Sequence, residues 1–355
     1  MIIGVDAGCL GIIDSRLKAG VYYVAYNLFR ELSLLDTKNK YILYSFHPLS
    51  KELMQQFSPS WENTVLSSKG WLSVSLPLAF RKQKPNIFLA ISQAMPWYHP
   101  ITIGFIHGLD FLPEFHEERN KKLKSNSEYM IHHADKLITT SQFLKESLVR
   151  QYHKKNIFVS PLGADQNFFT NEKKHTEQVS YFLFIGTLKP SKNIPRLLKA
   201  FSLFLKTTKK EYKLLLIGSD FWLDKRISET IKNLQLEKHI SLIPFLENKS
   251  LSSYYKGATA FVSPSLYEGF GLPFVEAMAS GCPVIGSTAG AIPEIVGDAG
   301  ILVDPLDVEG LANTMERVSA YTSLRLKMKE AGIKRAKQFT WENFAKGVFS
   351  IINRV

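Results

Sequence analysis

Two glutamates on either side of a glycine-containing turn have the types and spacing to bind a phosphorylated sugar. Glu268 and Glu276 lie in the stretch 263–281, which predicts a strand end, a turn through 269–271 and a short helix. Glycines let the backbone approach a ligand, and the free N–H groups of a helix N-terminus favour phosphate. Carboxylates accept hydrogen bonds from sugar hydroxyls. In isolation, however, a carboxylate that complements its own helix dipole and a solvated loop charge explain the pair more simply.

Two other loops carry residues suited to the same chemistry. Lys192 lies between a predicted strand at 181–185 and a predicted helix at 194–206, where its ammonium group can pair with a diphosphate. His107 follows a predicted strand at 101–106, and ligands of open α/β sheets bind at the carboxyl ends of strands. A lone lysine is otherwise a surface charge, and a lone histidine at a strand end is more often structural.

Alternating strands and helices position these loops. The first half predicts strands at 2–7, 41–46, 86–90, 101–106, 136–140 and 156–159, with helices at 21–35, 120–134 and 142–152. The second half predicts strands at 181–185, 213–217, 240–243, 260–263, 283–286 and 300–303, with helices at 194–206, 221–234, 251–256, 272–280, 308–318, 323–338 and 341–352. This pattern predicts an α/β fold with two doubly wound parallel sheets. We expect a polar linker at 170–178 and a ligand cleft between two facing domains.

Composition limits the compartment and the partners. The 355 residues can bury two cores, and the formal net charge of +12 favours nucleic acid, a phosphorylated ligand or an anionic membrane as partner. Nucleic acid is the weakest of these, because no basic stretch is interleaved with aromatic residues. Cys9 and Cys282 are too few for a disulfide framework, and the N-terminus lacks a basic region before its apolar residues. We therefore expect a cytoplasmic protein.

One apolar segment bears on membrane contact. Residues 71–80 are unusually apolar, and Arg81, Lys82 and Lys84 follow directly. Such a segment predicts one of two environments. It either makes peripheral contact with the inner face of an anionic membrane or packs inside the first domain. No apolar run reaches the roughly 18 residues that span a bilayer.

The stretch 265–285, SLYEGFGLPFVEAMASGCPVI, resembles the signature of the large retaining glycosyltransferase family 4. Further agreement lies at Gly290, Pro293, Glu294 and Gly300, and at 140–143, 161–165 and 339–342. The resemblance spans nearly the whole chain and implies the GT-B fold, in which two Rossmann-like domains face each other across a cleft. It implies an N-terminal acceptor domain at 1–168, completed by a C-terminal helix at 340–355, and a nucleotide-sugar donor domain at 178–339.

The resemblance also implies an activity and a set of site residues. It implies hexose transfer from a nucleotide-diphosphate sugar to a glycan, lipid-linked or other hydroxyl acceptor. The segment 186–193 resembles that of mannosyltransferase-like group 1 enzymes, which places GDP-mannose before UDP-glucose as the donor. His107 would contact the sugar near the reacting face, Lys192 would neutralise the leaving diphosphate, and Glu268 would hold hydroxyls of the transferred sugar. The implied donor-binding residues are Gly20, Gly186, Thr187, Lys192, Glu268, Gly269, Phe270, Gly271, Leu272 and Glu276. Among these, Glu276 would bind ribose, and the amides of 270–272 would bind sugar and diphosphate.

The chain departs from the family pattern in two places. Many members have Glu-Pro-Arg-Lys-Asn where this chain has KPSKN at 189–193, and other branches carry arginine in place of Thr187. The cationic fork that arginine gives a diphosphate is therefore missing. Lys189, or Arg16 with Lys18 from the first domain, are the candidates to replace it. The loop 8–20 is also longer and less glycine-rich than the family form, which leaves its phosphate or acceptor contacts open.

A mechanism without metal ion or cofactor follows from the resemblance. Lys192 and the helix terminus near Glu276 can stabilise the departing diphosphate by preorganised electrostatics, and the sequence contains no Asp-X-Asp triplet. Two other classes stay open on the residues alone. One is a non-catalytic nucleotide-sugar or polyanion-binding protein; the other is an epimerase or phosphorylase of the same architecture.

Overall fold

The computed structural model describes residues 1–12, 20–109, 121–170, 175–177, 179–218, 224–246 and 248–355. The chain divides into two compact units. The first contains Met1–Leu162 and Trp341–Val355, and the second contains Gly163–Thr340. Predictions for Arg16, Lys18, Asn120, the residues 171–174 and the helix start at Phe221 lie outside the described residues.

A parallel sheet forms the centre of the first unit. Its elements in chain order are β1 (Ile2–Asp6), α1 (Gly20–Leu35), β2 (Lys40–Ser45), α2 (Lys51–Met54), β3 (Glu62–Val65), α3 (Leu76–Gln83), β4 (Ile87–Ala90), β5 (Ile101–Ile106), α4 (Lys121–His133), β6 (Lys136–Thr139), α5 (Gln142–Tyr152) and β7 (Ile157–Val159). The strands pair in parallel in the order β3-β2-β1-β4-β5-β6-β7. The chain winds outward to β3 and returns to β4, so the strand order reverses between β1 and β4, where such sheets bind ligands.

The second unit repeats this plan with a smaller sheet. Its elements are β8 (Ser180–Ile185), α6 (Ile194–Thr207), β9 (Tyr212–Ile217), α7 (Arg226–Asn233), β10 (Ile240–Ile243), α8 (Asn248–Gly257), β11 (Ala260–Ser263), α9 (Leu272–Ala279), β12 (Val284–Ser287), α10 (Ile292–Val296), β13 (Ile301–Val303), α11 (Val308–Ala320) and α12 (Thr322–Ala336); α13 (Trp341–Ile352) then ends the chain. The strands pair in parallel in the order β10-β9-β8-β11-β12-β13. Here the reversal lies between β8 and β11. The predicted doubly wound α/β class is confirmed for both units.

The spacing of apolar residues explains why α6 covers the second sheet. Its buried side chains include Ile194, Leu197, Phe201 and Phe204, which recur at helical spacing and face one side. They join the strand residues of β8 and β9 in one core cluster. Each such side chain contributes about 1.5–3 kcal/mol by leaving water. The same core holds the strand ends whose loops form the site described below.

The last helix belongs to the first unit and packs against α1. Trp341, Phe344, Val348 and Ile352 are buried along one face of α13. Ser160 Oγ donates a hydrogen bond to the Phe344 carbonyl oxygen over 2.9 Å. The first unit is therefore assembled from two segments that are far apart in the sequence.

Several short elements were not predicted from the sequence. The strand β3 is an edge strand whose four residues are polar or partly exposed, so it carries no apolar run. The helices α2 and α10 span one turn or little more, which is too short for a periodic pattern. The sequence predicts only an apolar segment where the structure has α3, although Pro77 suits the first turn of a helix.

The predicted end of the first domain at residue 168 is wrong, because 163–169 lie in the second unit. Phe168 is buried there, with its ring edge-on to Tyr255 at a centroid distance of 5.9 Å. The Ala164 N–H donates to the Phe339 carbonyl oxygen over 3.2 Å. The polar composition of 170–178 indicated a linker, but the chain passes between units at Leu162 and Gly163 instead.

The apolar segment 71–80 is partly buried and partly exposed. It forms a π-helical turn, Trp71–Ser75, followed by the start of α3. Leu76 and Phe80 are buried in the first unit, whereas Val74 and Leu78 are exposed. None of the helices in the described ranges has both the length and the apolar character that crossing a membrane requires.

Candidate active site

Two loops at the strand reversal of the second unit hold the predicted donor-binding residues. One loop, 186–193, follows β8, and the other, 264–271, follows β11. The Leu266 N–H donates to the Ser191 carbonyl oxygen over 2.8 Å, which ties the loops together. Asn193 Nδ2 reinforces this link by donating to the Pro264 carbonyl oxygen over 3.0 Å. The loops therefore form one structure at the position where ligands of such sheets bind.

Lys192 and Glu268 form an ion pair in this structure. Lys192 Nζ lies 2.6 Å from Glu268 Oε1, and the two side chains are only 15% and 13% exposed. Ser265 Oγ donates to the same carboxylate oxygen over 2.8 Å. Because both charges are largely withdrawn from water, removing either partner would leave the other charge uncompensated. A cation and a carboxylate thus lie side by side.

The backbone of Glu268 is fixed from its other side by the loop that follows β12. The Ala291 N–H donates to the Glu268 carbonyl oxygen over 3.0 Å. Gly290 has φ +64°, and a Cβ there would lie 2.7 Å from the Glu268 amide nitrogen. Only glycine permits that approach without strain. The family-like glycine at 290 therefore has a local reason, which is the position of Glu268.

The turn into α9 presents backbone amides beside this pair. Gly271 has φ +94°, a conformation that glycine adopts readily, and Pro273 lies in the first turn of the helix. Phe270 is buried with its ring edge-on to Phe339, at a centroid distance of 5.8 Å. The N–H groups of the first turn lie at the positive end of the helix dipole, which favours an anion.

Glu276 lies one turn further along α9 and is hydrogen-bonded to Tyr255. Tyr255 Oη donates to Glu276 Oε2 over 2.9 Å. Burial raises the pKa of Glu276 to about 7; the Tyr255 hydrogen bond opposes the rise, and the charge of Asp165 adds to it. The carboxyl group therefore changes charge near neutral pH, unlike an exposed glutamate.

The structure describes positions 187 and 191, at which the chain departs from the family pattern. Ser191 is buried, and its Oγ has no hydrogen-bond partner among the described residues. It cannot supply the charge or reach of an arginine at this position. Gly186 has φ +153°, and its carbonyl oxygen would lie 1.9 Å from a Cβ at Gly218. Thr187 lies half-buried on the same loop.

His107 lies in the first unit, in the loop after β5. Its Nε2 is 2.7 Å from the Ile91 carbonyl oxygen, so Nε2 carries the proton and Nδ1 is the ring atom that can accept from a ligand. Burial lowers the pKa of His107, which keeps the ring neutral. Gln93 Oε1 accepts from the His107 N–H over 3.0 Å, and Gln93 Nε2 donates to the Gly108 carbonyl oxygen over 3.2 Å. Gln93 holds this loop with φ +60°, a strained value for a residue other than glycine.

A cavity of about 830 Å³ opens at the strand reversal of the first unit. Asp6 ends β1 and Ser92 follows β4, and both line it together with Phe46 and Trp71. Asp6 accepts hydrogen bonds from the N–H groups of Gly8 and Ser92, over 3.1 and 3.2 Å, while burial raises its pKa. The rings of Phe46 and Trp71 meet edge to face at a centroid distance of 4.2 Å. Carboxylate, hydroxyl and aromatic groups together suit a ring-shaped polyhydroxy ligand.

The structure thus brings together Lys192, Glu268 and the first turn of α9, with Glu276 on the same helix. Gly20 begins α1 at an exposed position where a Cβ would meet no atom within 4 Å, so its backbone alone does not require glycine. Arg16 and Lys18 lie outside the described residues. Sequence reasoning missed Asp6, Gln93 and Tyr255. Of these three residues, only Asp6 could have been identified from the sequence, because it lies near the end of the first predicted strand.

Comparisons with known proteins identify the family and the fold. Residues 165–335 match the family model described as glycosyl transferases group 1. The chain is 31% identical over 273 residues to O-antigen chain mannosyltransferase B of Escherichia coli, which covers 73% of this chain and 70% of that relative. Sucrose-phosphate synthase from Thermosynechococcus elongatus aligns with a TM-score of 0.81 and 19% identity, covering 99% of this chain and 98% of that one. Anabaena HepE in complex with UDP and glucose aligns with a TM-score of 0.76 and 17% identity, covering 100% and 99%.

The two parallel-sheet units define a GT-B protein with two Rossmann-like domains. The chain belongs to the group 1 glycosyltransferases and is a glycosyltransferase enzyme. Within the described ranges, no group of three His, Cys, Asp or Glu residues is placed to hold a metal ion.

Proposed function

We propose that the protein is a retaining hexosyltransferase that uses a nucleotide-diphosphate sugar, with GDP-mannose as the first candidate, and needs no metal ion. The observation that carries this proposal is the Lys192–Glu268 ion pair at the strand reversal of the second unit, beside the first turn of α9. A diphosphate needs a cation and free amides, and a sugar needs carboxylate acceptors. This one corner of the unit supplies both.

Each residue takes a role that fits its surroundings. Lys192 exchanges Glu268 for the diphosphate, which frees Glu268 to accept hydrogen bonds from hydroxyls of the transferred sugar. The amides at 270–272 bind the sugar and the diphosphate, and Glu276 accepts from the ribose hydroxyls. Gly186 and Thr187 border the same ligand from the loop after β8. His107 of the first unit is neutral and fixed through Nε2, so its proposed role is to accept a hydrogen bond from a sugar hydroxyl through Nδ1.

The reaction proceeds on the face from which the leaving group departs. The bond between the anomeric carbon and the diphosphate oxygen breaks, and the acceptor hydroxyl oxygen forms its bond to that carbon on the same side. The hydroxyl proton passes to the departing phosphate oxygen. Negative charge grows on the diphosphate during this step, and Lys192 with the α9 terminus stabilises it. Retention follows without a covalent enzyme intermediate.

The relative that is named a mannosyltransferase favours mannose as the transferred sugar. A structurally similar protein in complex with UDP and glucose makes glucose the alternative. The O-antigen mannosyltransferase is the more similar in sequence, at 31% identity. The Anabaena structure binds UDP and glucose, at 17% identity. The second candidate is therefore a transferase that takes a UDP-glucose-type donor. We propose a glycan or lipid-linked hydroxyl acceptor and a peripheral position at an anionic membrane.

A thermal-shift screen followed by turnover in EDTA tests the donor proposal. A nucleoside diphosphate at about one hundred times its dissociation constant stabilises the folded state by about 2.7 kcal/mol, which raises the melting temperature by about 5 °C or more. GDP is expected to do so, UDP less, and GDP-mannose to turn over without a divalent ion. A larger shift with UDP would transfer the proposal to the UDP donor. Turnover that disappears in EDTA and returns with a divalent ion would refute the metal-free step.

The acceptor is proposed to bind in the cavity of the first unit, with its ring against Trp71. Trp71→Ala is expected to raise KM for simple alkyl hexosides about tenfold, because an aromatic contact with the acceptor is lost. The donor KM should stay within twofold of the wild-type value, roughly the precision of such comparisons. Tyr321→Ala, at an exposed aromatic residue of the second unit that does not line the cavity, is the matched control. An unchanged acceptor KM for Trp71→Ala would exclude the cavity as the acceptor site.

A further inference from the structure

An exposed apolar surface lies on the first unit beside the cavity. We define the Trp97 patch as Val74, Leu78, Trp97 and Tyr98. Leu78 and Trp97 are 58% and 57% exposed, and the other two are also exposed. A solvated surface seldom presents large apolar side chains side by side unless it binds something. These four residues come from two segments of the chain, 74–78 and 97–98.

Contacts between the two segments join the four residues into one continuous surface. Val74 and Leu78 are four residues apart on consecutive helical turns and so share a face. Trp97 Nε1 donates to the Ser73 carbonyl oxygen over 2.9 Å, which places the indole next to Val74. The Trp97 and Tyr98 rings lie 6.0 Å apart between centroids. The Arg81 guanidinium covers the Tyr98 ring at 5.1 Å, which connects Tyr98 to α3.

The charged residues in the part of the sequence that forms the patch are all basic. No Asp or Glu occurs between Glu62 and Asp110, whereas Lys69, Arg81, Lys82 and Lys84 all lie in that interval. All four cations are exposed. The surface is therefore apolar at its centre and cationic at its edge, which complements a surface that is anionic outside and apolar beneath.

We propose that the Trp97 patch docks the protein on the headgroup region of an anionic lipid bilayer. Tryptophan and tyrosine favour the membrane–water interface, where an apolar ring can sink while its polar atom stays bonded. Trp97 already satisfies its N–H on Ser73, so its ring can enter the headgroups without losing a hydrogen bond. A second copy fits this surface poorly, because Arg81, Lys82 and Lys84 would face the same cations of the partner.

The docking surface also implies that the proposed acceptor site lies next to the bilayer. This step rests on the proposed function. Ser73 lines the cavity and at the same time accepts the Trp97 hydrogen bond. The patch therefore borders the cavity, and docking brings the cavity to the bilayer surface. An acceptor hydroxyl carried on a lipid would reach Trp71 without leaving the membrane.

Co-sedimentation of the full chain with vesicles tests the docking surface. At low salt, vesicles of phosphatidylcholine with phosphatidylglycerol are expected to pellet most of the protein, and vesicles of phosphatidylcholine alone to pellet little. Leu78→Ser combined with Trp97→Ser is expected to lower the partition coefficient about tenfold, because two apolar contacts are lost. Leu34→Ser is the matched control, since Leu34 is 71% exposed on α1 and lies outside the patch.

A charge variant separates the electrostatic part of binding. Arg81→Gln with Lys82→Gln is expected to weaken binding to the anionic vesicles about tenfold or more and to reduce its salt sensitivity. Lys199→Gln with Lys206→Gln, on α6 of the second unit, should leave both unchanged. Leu78→Ser and Trp97→Ser are also measured singly, so that a folding defect in the double variant does not decide the result.

Three results would overturn the proposal. The wild-type protein could stay in the supernatant with anionic vesicles at low salt, or Leu34→Ser could reduce binding as much as the patch variant. The chain could also prove to be a dimer in solution that Trp97→Ser dissociates, which would assign the patch to a second copy. Binding is measured without donor or acceptor, so an inactive protein that still binds vesicles would refute the proposed activity and leave the docking surface standing.

Discussion

Lys192→Met is expected to lower kcat for hexose transfer by a factor of about 10²–10³, the effect of removing one preorganised group that stabilises charge in a transition state. The ammonium group lies 2.6 Å from Glu268 and is only 15% exposed, so after it exchanges Glu268 for the diphosphate its charge acts in a poorly hydrated site. Methionine keeps most of the side-chain length and removes the charge. The loss should appear in kcat more than in the donor KM, because the charge on the leaving group grows during the reaction.

Two further variants separate this effect from structural damage. Lys199→Met removes a charge from an exposed position on α6 and is expected to leave kcat unchanged. Lys192→Met with Glu268→Gln tests whether the unpaired carboxylate, rather than the missing cation, disturbs the site. Melting curves of the three proteins show whether each is folded. A folded Lys192→Met enzyme with kcat within about threefold of wild type would contradict the role of Lys192, since a lost charge contact costs far more.

Glu276→Gln is expected to raise the donor KM about tenfold to a hundredfold, because a hydrogen bond to a charged group contributes about 1.5–3 kcal/mol. The amide keeps the shape of the side chain and one acceptor oxygen, so the fold should persist. Glu276→Ala should abolish measurable donor turnover in a protein that remains folded. A non-catalytic polyanion-binding protein would be insensitive to either change, which makes this position the discriminating one between the two classes. Glu309→Gln, on the exposed first turn of α11, serves as the matched control.

The pH dependence of Glu276 gives a second readout of the same position. Its pKa is raised to about 7, so the folded protein binds a proton there that the unfolded chain releases near pH 4.5. Stability from this group is therefore greatest below about pH 4.5 and is lost as pH rises to about 7, by up to about 3 kcal/mol. Donor binding needs the ionised carboxylate and should strengthen over the same rise in pH. Both trends should disappear in Glu276→Gln.

Tyr255→Phe refines the pH experiment. The Tyr255 hydrogen bond favours the charged form of Glu276, so its removal should move the midpoint of donor binding to higher pH. Isothermal titration with GDP-mannose between about pH 5.5 and 8.5 measures both midpoints. A midpoint that does not differ between wild type and Tyr255→Phe would show that the titrating group is not Glu276.

The sequence predicted the sheets well because their strands have clear boundaries. Residues 181–185 of β8 and 214–217 of β9 are continuous apolar segments next to polar or glycine-containing loops, and helices such as α5 and α13 matched their predicted limits. The motif at 265–285 also placed Glu268 and Glu276 on a turn and a helix. Short elements failed for the opposite reason: β3 has four residues at a sheet edge and almost no apolar pattern.

Partners within the site were harder to predict than the site residues themselves. Lys192 and Glu268 are 76 positions apart, and their contact depends on how two loops pack at neighbouring strand ends. Tyr255 lies on α8 and reaches Glu276 through the packing of α8 on α9. Gln93 looked like an ordinary polar residue, and only its backbone angle and its contacts with the His107 loop distinguish it. Such pairings are set by tertiary structure, which local sequence patterns do not encode.

The return of α13 to the first unit constrains the order in which the protein can be made. The first unit ends at Leu162 but is completed only by Trp341–Val355, so a ribosome must synthesise the whole second unit before the first can close. Until then α1 lacks the apolar face of α13, and Ser160 lacks its partner at Phe344. The second unit is contiguous in the sequence, so it can fold before the first unit is complete. Domains generally fold as units during synthesis. A chain cut after Leu162 would expose this unfinished surface, so the first unit should be expressed together with its last helix.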